Sequence, residues 1–259
     1  MDLHWLQLFL LPIVAHVLYG IPPEPEGSGE SHVTLHNGDD FSTKDEAPHP
    51  ERLSSVRAVT AAGAQSLQAQ GTKATGVRVD TTALKGQQGW VVVETPPTLI
   101  ELAPAKFDSY LEHEGLGHVL QFRSANGEAE LPGRELYSKH TKTALSAGGG
   151  AVRFLSGGLG LPIEFVPVHD GPLGQGSEME VVVLVDGVAA ADLQVRVSYR
   201  ESEAHEPSAD ILTRTDERGM VSVVLDRAGI WRLHTISMQR QKGGEADWAS
   251  VWASLTFRF

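Results

Sequence analysis

The sequence predicts an all-β protein made of two sandwich-type domains with a small helical insert. Three observations lead there. Across 178–259, short runs of Val, Ile, Trp and Leu alternate with Asp/Gly turns and close on the aromatic-rich stretch 247–257. In the first half, Trp90-Val91-Val92-Val93-Glu94-Thr95 is a β-branched run opened by Gly89 and stopped by Pro96 and Pro97. Between these regions Phe107, Tyr110 and Leu111 fall at i, i+3 and i+4, which is helical spacing.

Residues 6–15 (LQLFLLPIVA) form an apolar stretch of signal-peptide length, too short to span a bilayer, and Pro22, Pro23 and Pro25 soon forbid a continuing helix. Residues 1–15 are therefore expected to be an export signal. Asp2 has the wrong sign for its usual basic start, and Ile13 is bulky for a position near a cleavage point. A buried N-terminal strand or helix is the alternative. Cleavage after Ala15 would make His16 the new N-terminus.

The first domain is expected over 16–155. His32-Val33-Thr34-Leu35-His36 alternates and meets the turn signal Asn37-Gly38, and further strands are read at 56–60, 74–79, 90–95 and 98–102. The helical insert lies near 104–145. Gly115 is read as a left-handed cap after the first helix, 118–123 as another turn or two, Asn126-Gly127 as a stop and 133–143 as a further short element. Gly148-Gly149-Gly150 and Ser156-Gly157-Gly158-Leu159-Gly160 mark the boundary. Pro162 then opens a strand into the second domain, 161–259.

Composition excludes several classes. A net charge of −12, with no basic run interleaved with aromatics, argues against a nucleic-acid partner. The chain has no Cys, so disulfides, thiolate metal sites and nucleophilic Cys drop out. No integral membrane protein is expected once the signal is removed.

Several blocks in this order resemble a family of exported bacterial proteins of unknown function, the NikM-like proteins, whose label associates them with nickel and cobalt transport. They are Lys106-Phe107 with Tyr110-Leu111-Glu112 and Glu114-Gly115-Leu116, then Gly133-Arg134-Glu135-Leu136-Tyr137-Ser138 and Gly160-Leu161-Pro162-Ile163-Glu164. Thr215-Asp216 with Gly219, Gly229-Ile230-Trp231, and Asp247-Trp248 onward to Phe257 complete the set. The resemblance implies a periplasmic or secreted protein with an Ig-like or transthyretin-like C-terminal domain. It also implies a mature chain that starts with His followed by an acidic residue and aromatics. Ala15-His16-Val17-Leu18-Tyr19 keeps the His and an aromatic but lacks the acidic neighbour.

The candidate metal ligands are His16, His113, His118 and His234. A freed N-terminal His16 can chelate copper or nickel through its α-amino nitrogen and a ring nitrogen; the plainer alternative is a solvent-facing side chain. His113-Glu114-Gly115-Leu116-Gly117-His118 is not a zinc-protease helix, because its i, i+5 spacing turns the second ring about 140° away. A loop could still bring both rings to one ion, although a helix C-terminus is the simpler reading. His234 shares a strand face with Ile236 and Met238, where a copper pair competes with ordinary core filling. His32 and His36 lie too far apart along a strand for one ion, and Asp39-Asp40 lacks a calcium ladder and reads as a solvated turn. Trp248 and Trp252 share a strand face and read as core anchors. No nucleophile elbow is present, so an enzyme is not expected.

The function expected is thus a periplasmic, non-enzymatic binding or accessory module linked to transition-metal uptake, with nickel, cobalt or copper as candidate ions and an envelope transporter or receptor as partner. The alternative is a structural or interaction module that docks an envelope receptor or carbohydrate without metal.

Overall fold

Val91, Val92 and Val93 are all fully buried, which requires a layer packed on each face of their strand. The computed structural model has that arrangement. It describes residues 16–24, 31–72, 74, 76–145, 151–168 and 171–259; the expected signal, 1–15, and Gly148-Gly149-Gly150 of the expected boundary lie outside them.

The middle layer is a nine-stranded sheet. Its path runs β16 (Ile211–Arg214), β15 (Gln194–Arg200), β18 (Ile230–Arg240), β19 (Trp248–Arg258), β9 (Gly133–Ala144), β7 (Gly89–Glu94), β3 (Ser55–Thr60) and β4 (Gly63–Ser66). β8 (Thr98–Leu102) pairs with the first part of β9, on the same edge that β7 takes further along. One face is covered by a sheet of β11 (Ile163–Pro167), β13 (Glu178–Val185), β14 (Val188–Ala189) and β17 (Met220–Val224). β10 (Ala151–Val152) and β12 (Leu173–Gly174) form a short ribbon beside it. The other face carries a sheet in the order β1 (Leu18–Ile21), β2 (His32–Asn37), β6 (Gly76–Asp80), β5 (Ala69–Thr72), and two helices, α1 (Pro104–His113) and α2 (Gly117–Ala125). The fold is all-β and sandwich-like, as expected.

Period-two alternation sorts the side chains between layers. Along β18, Trp231 and Leu233 enter the core shared with Phe165, Met179 and Val181, whereas Ile230, Ile236 and Met238 face the helices. Trp248 and Trp252 of β19 both point toward the helices and are buried there, the anchoring role read from their spacing. Each aromatic of this kind contributes about 1.5–3 kcal/mol by burial.

β9 organises the molecule. It runs parallel to β19 from Glu135↔Trp248 to Thr143↔Thr256, so the segments expected as domains 16–155 and 161–259 share one sheet. Glycines punctuate the chain locally, but strand pairing is decided by distant burial. The end of the Gly-rich segment 156–160 is pinned, because Glu164 accepts hydrogen bonds from the amides of Leu159 and Gly160 and pairs with buried Lys142 of β9 at 3.1 Å. Among the described residues the α-helical content is confined to α1 and α2, and 133–143, expected as a short element of the insert, is this long strand.

Two glycines explain how the helices seat. Gly115 has φ +69°, and its amide and that of Leu116 donate back to Glu112 and Leu111, the left-handed cap expected there. Gly133 lies against Phe107, whose ring a Cβ at that position would approach to 2.1 Å.

Candidate functional site

The alternation that makes β9 a central strand also directs its charges inward. Glu135, Tyr137 and Lys139 share the face toward the helices and β1, and the aromatic neighbour supplied there by β19 is Trp252. Two polar clusters result, one beneath α1 and one beside β1.

Beneath α1 the residues are Glu114, His113, His234 and Arg196. Nε2 of His234 lies 3.3 Å from one Glu114 oxygen, while Nε2 of His113 and a guanidinium nitrogen of Arg196 lie 3.8 and 3.7 Å from the other. Nδ1 of His234 is 3.0 Å from the Ala253 carbonyl oxygen and donates to it. Burial pushes the Glu114 carboxyl up, but His234 first, then Arg196 and His113, outweigh it and hold the group below the ordinary carboxylate range. The Arg196 guanidinium thus already sits 3.7 Å from the carboxylate that a metal would use. Among the described residues no three His, Cys, Asp or Glu side chains gather in a way that could hold a metal ion. The structure thus brings His113 and His234 to one carboxylate, while His118 turns away to bond the Met238 carbonyl at 3.1 Å.

Next to that carboxylate, Glu135 is 1% exposed. Its Oε1 accepts from Tyr110 at 3.1 Å and from Ser250, and Ser250 in turn accepts from the Trp252 indole at 2.9 Å. Its Oε2 has no partner among the described residues. Burial drives the Glu135 pKa up to about 7 against the hydrogen bonds of Ser250, Tyr110 and Trp252, with Glu114 adding to the rise.

Beside β1 the arrangement differs. His16 precedes the strand and its Nδ1 faces an Asp39 oxygen at 3.6 Å. His16 Nδ1 and Asp39 Oδ1 are both buried without a hydrogen-bond partner among the described residues. Asp39 holds the His16 imidazole above its ordinary pKa, against burial and the nearby charge of Lys139. The loop that carries Asp39 is fixed by Arg232, which donates to the Gly38 carbonyl at 3.4 Å and the Asp39 carbonyl at 2.7 Å.

Lys139 completes this cluster. Its ammonium donates to the His16 carbonyl and, at 3.0 Å, to the Asn37 side-chain oxygen, and it lies 5.4 Å from the Tyr137 ring centroid and 5.8 Å from that of Trp252. No carboxylate of the described residues comes within ion-pair distance of it. Burial pulls its pKa down to about 8, with Arg52 adding to the fall, while Asp39 and Glu135 oppose it. A cavity of about 90 Å³ opens next to it.

Sequence reasoning singled out His16 and His234 but passed over Asp39, Lys139, Glu114 and Glu135. Asp39 reads as a solvated turn residue, and the polar run Ser138-Lys139-His140-Thr141-Lys142 conceals a buried strand. The available signal was the juxtaposition of that run with the β-rich blocks around it.

A family model described as "Domain of unknown function (DUF4198)" matches residues 13–239. No curated protein and no solved structure matches the chain.

Proposed function

The chain belongs to the DUF4198 family, which has no assigned function, and from that premise we propose that it is a non-enzymatic envelope binding or accessory protein that takes a transition-metal ion at His16 and Asp39. Nickel, cobalt and copper are the candidates, since borderline divalent ions favour imidazole nitrogen. The observation that carries this reading is a buried imidazole nitrogen beside a carboxylate at 3.6 Å, with Nδ1 and one Asp39 oxygen left without hydrogen bonds. Export and cleavage after Ala15 would add a third donor. The α-amino nitrogen of a terminal His closes a six-membered chelate ring with its own Nδ1, the atom that faces Asp39 here.

Intact-mass measurement of the exported protein, with and without nickel or copper, tests the proposal. A mature chain starting at His16 should carry one ion, lose it in His16→Ala and hold it more weakly in Asp39→Asn. A chain with another start and no adduct sinks the reading.

A second reading, an interaction module that binds no metal, has one observation in its favour. β16 ends the large sheet and presents Ile211 and Leu212 at 59% and 58% exposure. Such a module would bind its partner equally well with or without a chelator.

A further inference from the structure

The cavity beside Lys139 has a composition at odds with the rest of the chain. Asp and Glu outnumber Lys and Arg by 33 to 21 in the sequence, yet among the described residues none that lines this space is acidic; it lies between the loop 47–53 and strands β8 and β9. Lys139 and Arg52 both face it, and neither forms an ion pair with any described residue. Lys139 carries three N–H donors and spends two, on His16 and Asn37. The Asn37 amide, whose oxygen is occupied by Lys139, keeps its NH₂ donors. His49 stands at the rim and pairs with exposed Glu51 at 3.0 Å. Leu18 and Leu53 supply an apolar wall.

We propose that this cavity binds a small carboxylate, held by Lys139 at its buried end and by Arg52 at its mouth. Two unpaired cations around one space leave a charge that an anion would compensate, and the planar guanidinium fork of Arg52 matches a carboxylate better than a spherical halide. At about 90 Å³ the space is several times what one water needs, so an aliphatic chain of a few carbons fits against the leucines. The carboxylate would also offset the Lys139 charge beside His16 and Asp39, but its binding does not require a metal there.

Titration calorimetry on the metal-free full chain, with acetate and propionate as probes and chloride as the control for charge alone, tests the assignment. Saturable carboxylate binding is expected, with chloride much weaker. Lys139→Met and Arg52→Gln should each weaken it about tenfold, the worth of one charge-assisted contact. Arg52 is exposed, so its substitution leaves the fold intact even if that of Lys139 does not. His16→Ala should retain carboxylate binding, because Lys139 contacts the His16 backbone carbonyl, and this separates the assignment from the metal reading. Absence of saturable carboxylate binding to the unaltered chain, chloride binding as tight as acetate, or undiminished affinity in Arg52→Gln would overturn it.

Discussion

The cluster beneath α1 and the cluster beside β1 use the same chemistry to opposite ends. Each combines imidazole, carboxylate and cation. Around Glu114 the partners converge, with His234, Arg196 and His113 on one carboxylate and the ring of His234 1% exposed. Around Lys139 they converge less: His16 faces Asp39 at 3.6 Å, but the ammonium rests on a carbonyl, an amide oxygen and two aromatic rings, with no carboxylate of the described residues at ion-pair distance. Compensated charge inside a protein holds elements together, and uncompensated charge beside a cavity is a standing demand for a ligand. A count of histidines therefore does not identify a site; the charges gathered around them and the space beside them do.

The comparison breaks most visibly at Glu114. Glu114→Ala leaves buried His234 without its carboxylate, while Arg196 keeps Asp210 at 3.4 Å, and should cost about 3 kcal/mol in urea unfolding. A loss below about 1 kcal/mol would show that the α1 cluster is not structural after all. Because the folded-state pKa of Glu114 is depressed, its contribution is present at neutral pH and fades as pH falls below the ordinary carboxylate range.

Glu135 runs the other way. Its pKa of about 7 in the folded state lies above the ordinary 4.5, so between these values the folded protein binds more protons than the unfolded chain. Stability therefore falls as pH rises through that window. Glu135→Gln should remove the slope, leaving the variant more stable than the unaltered chain at pH 8 by up to about 3 kcal/mol and within about 1 kcal/mol of it at pH 5. Parallel pH dependences for the two proteins would contradict the assignment.

Lys139→Met sharpens the contrast with Glu114. With no carboxylate partner to strand, it should cost only about 1–2 kcal/mol, the price of two orphaned acceptors, and a loss matching that of Glu114→Ala would erase the distinction. The smallest effect belongs to Arg214, whose partner Asp192 is 83% exposed. Arg214→Ala should shift the unfolding midpoint by no more than about 0.5 kcal/mol allows, which sets the baseline for the other three.

Much of this architecture was legible in the residues themselves. The β-branched run at 90–94, the Asp/Gly turns before β17 and β18, the shared face of Trp248 and Trp252, and the Gly115 cap all follow from local sterics and period, which a short window of sequence contains. The parallel pairing of β9 with β19 is different, because it joins residues more than a hundred positions apart. Nothing near Gly133–Ala144 announces a central strand, since its polar residues are tolerated only by partners from elsewhere: Glu164 for Lys142, Glu94 for His140, Tyr110 and Ser250 for Glu135. The candidate site follows the same rule. His16 stood out by its place after the apolar stretch 6–15, whereas Asp39 and Lys139 acquired meaning only when the large sheet brought the three together. By itself the sequence determined the all-β class, the strand periods and the helix cap, because these depend on neighbours a few residues away. The tertiary structure alone decided which charges were compensated and which were left facing a cavity, because burial and long-range electrostatics depend on residues far apart in the chain.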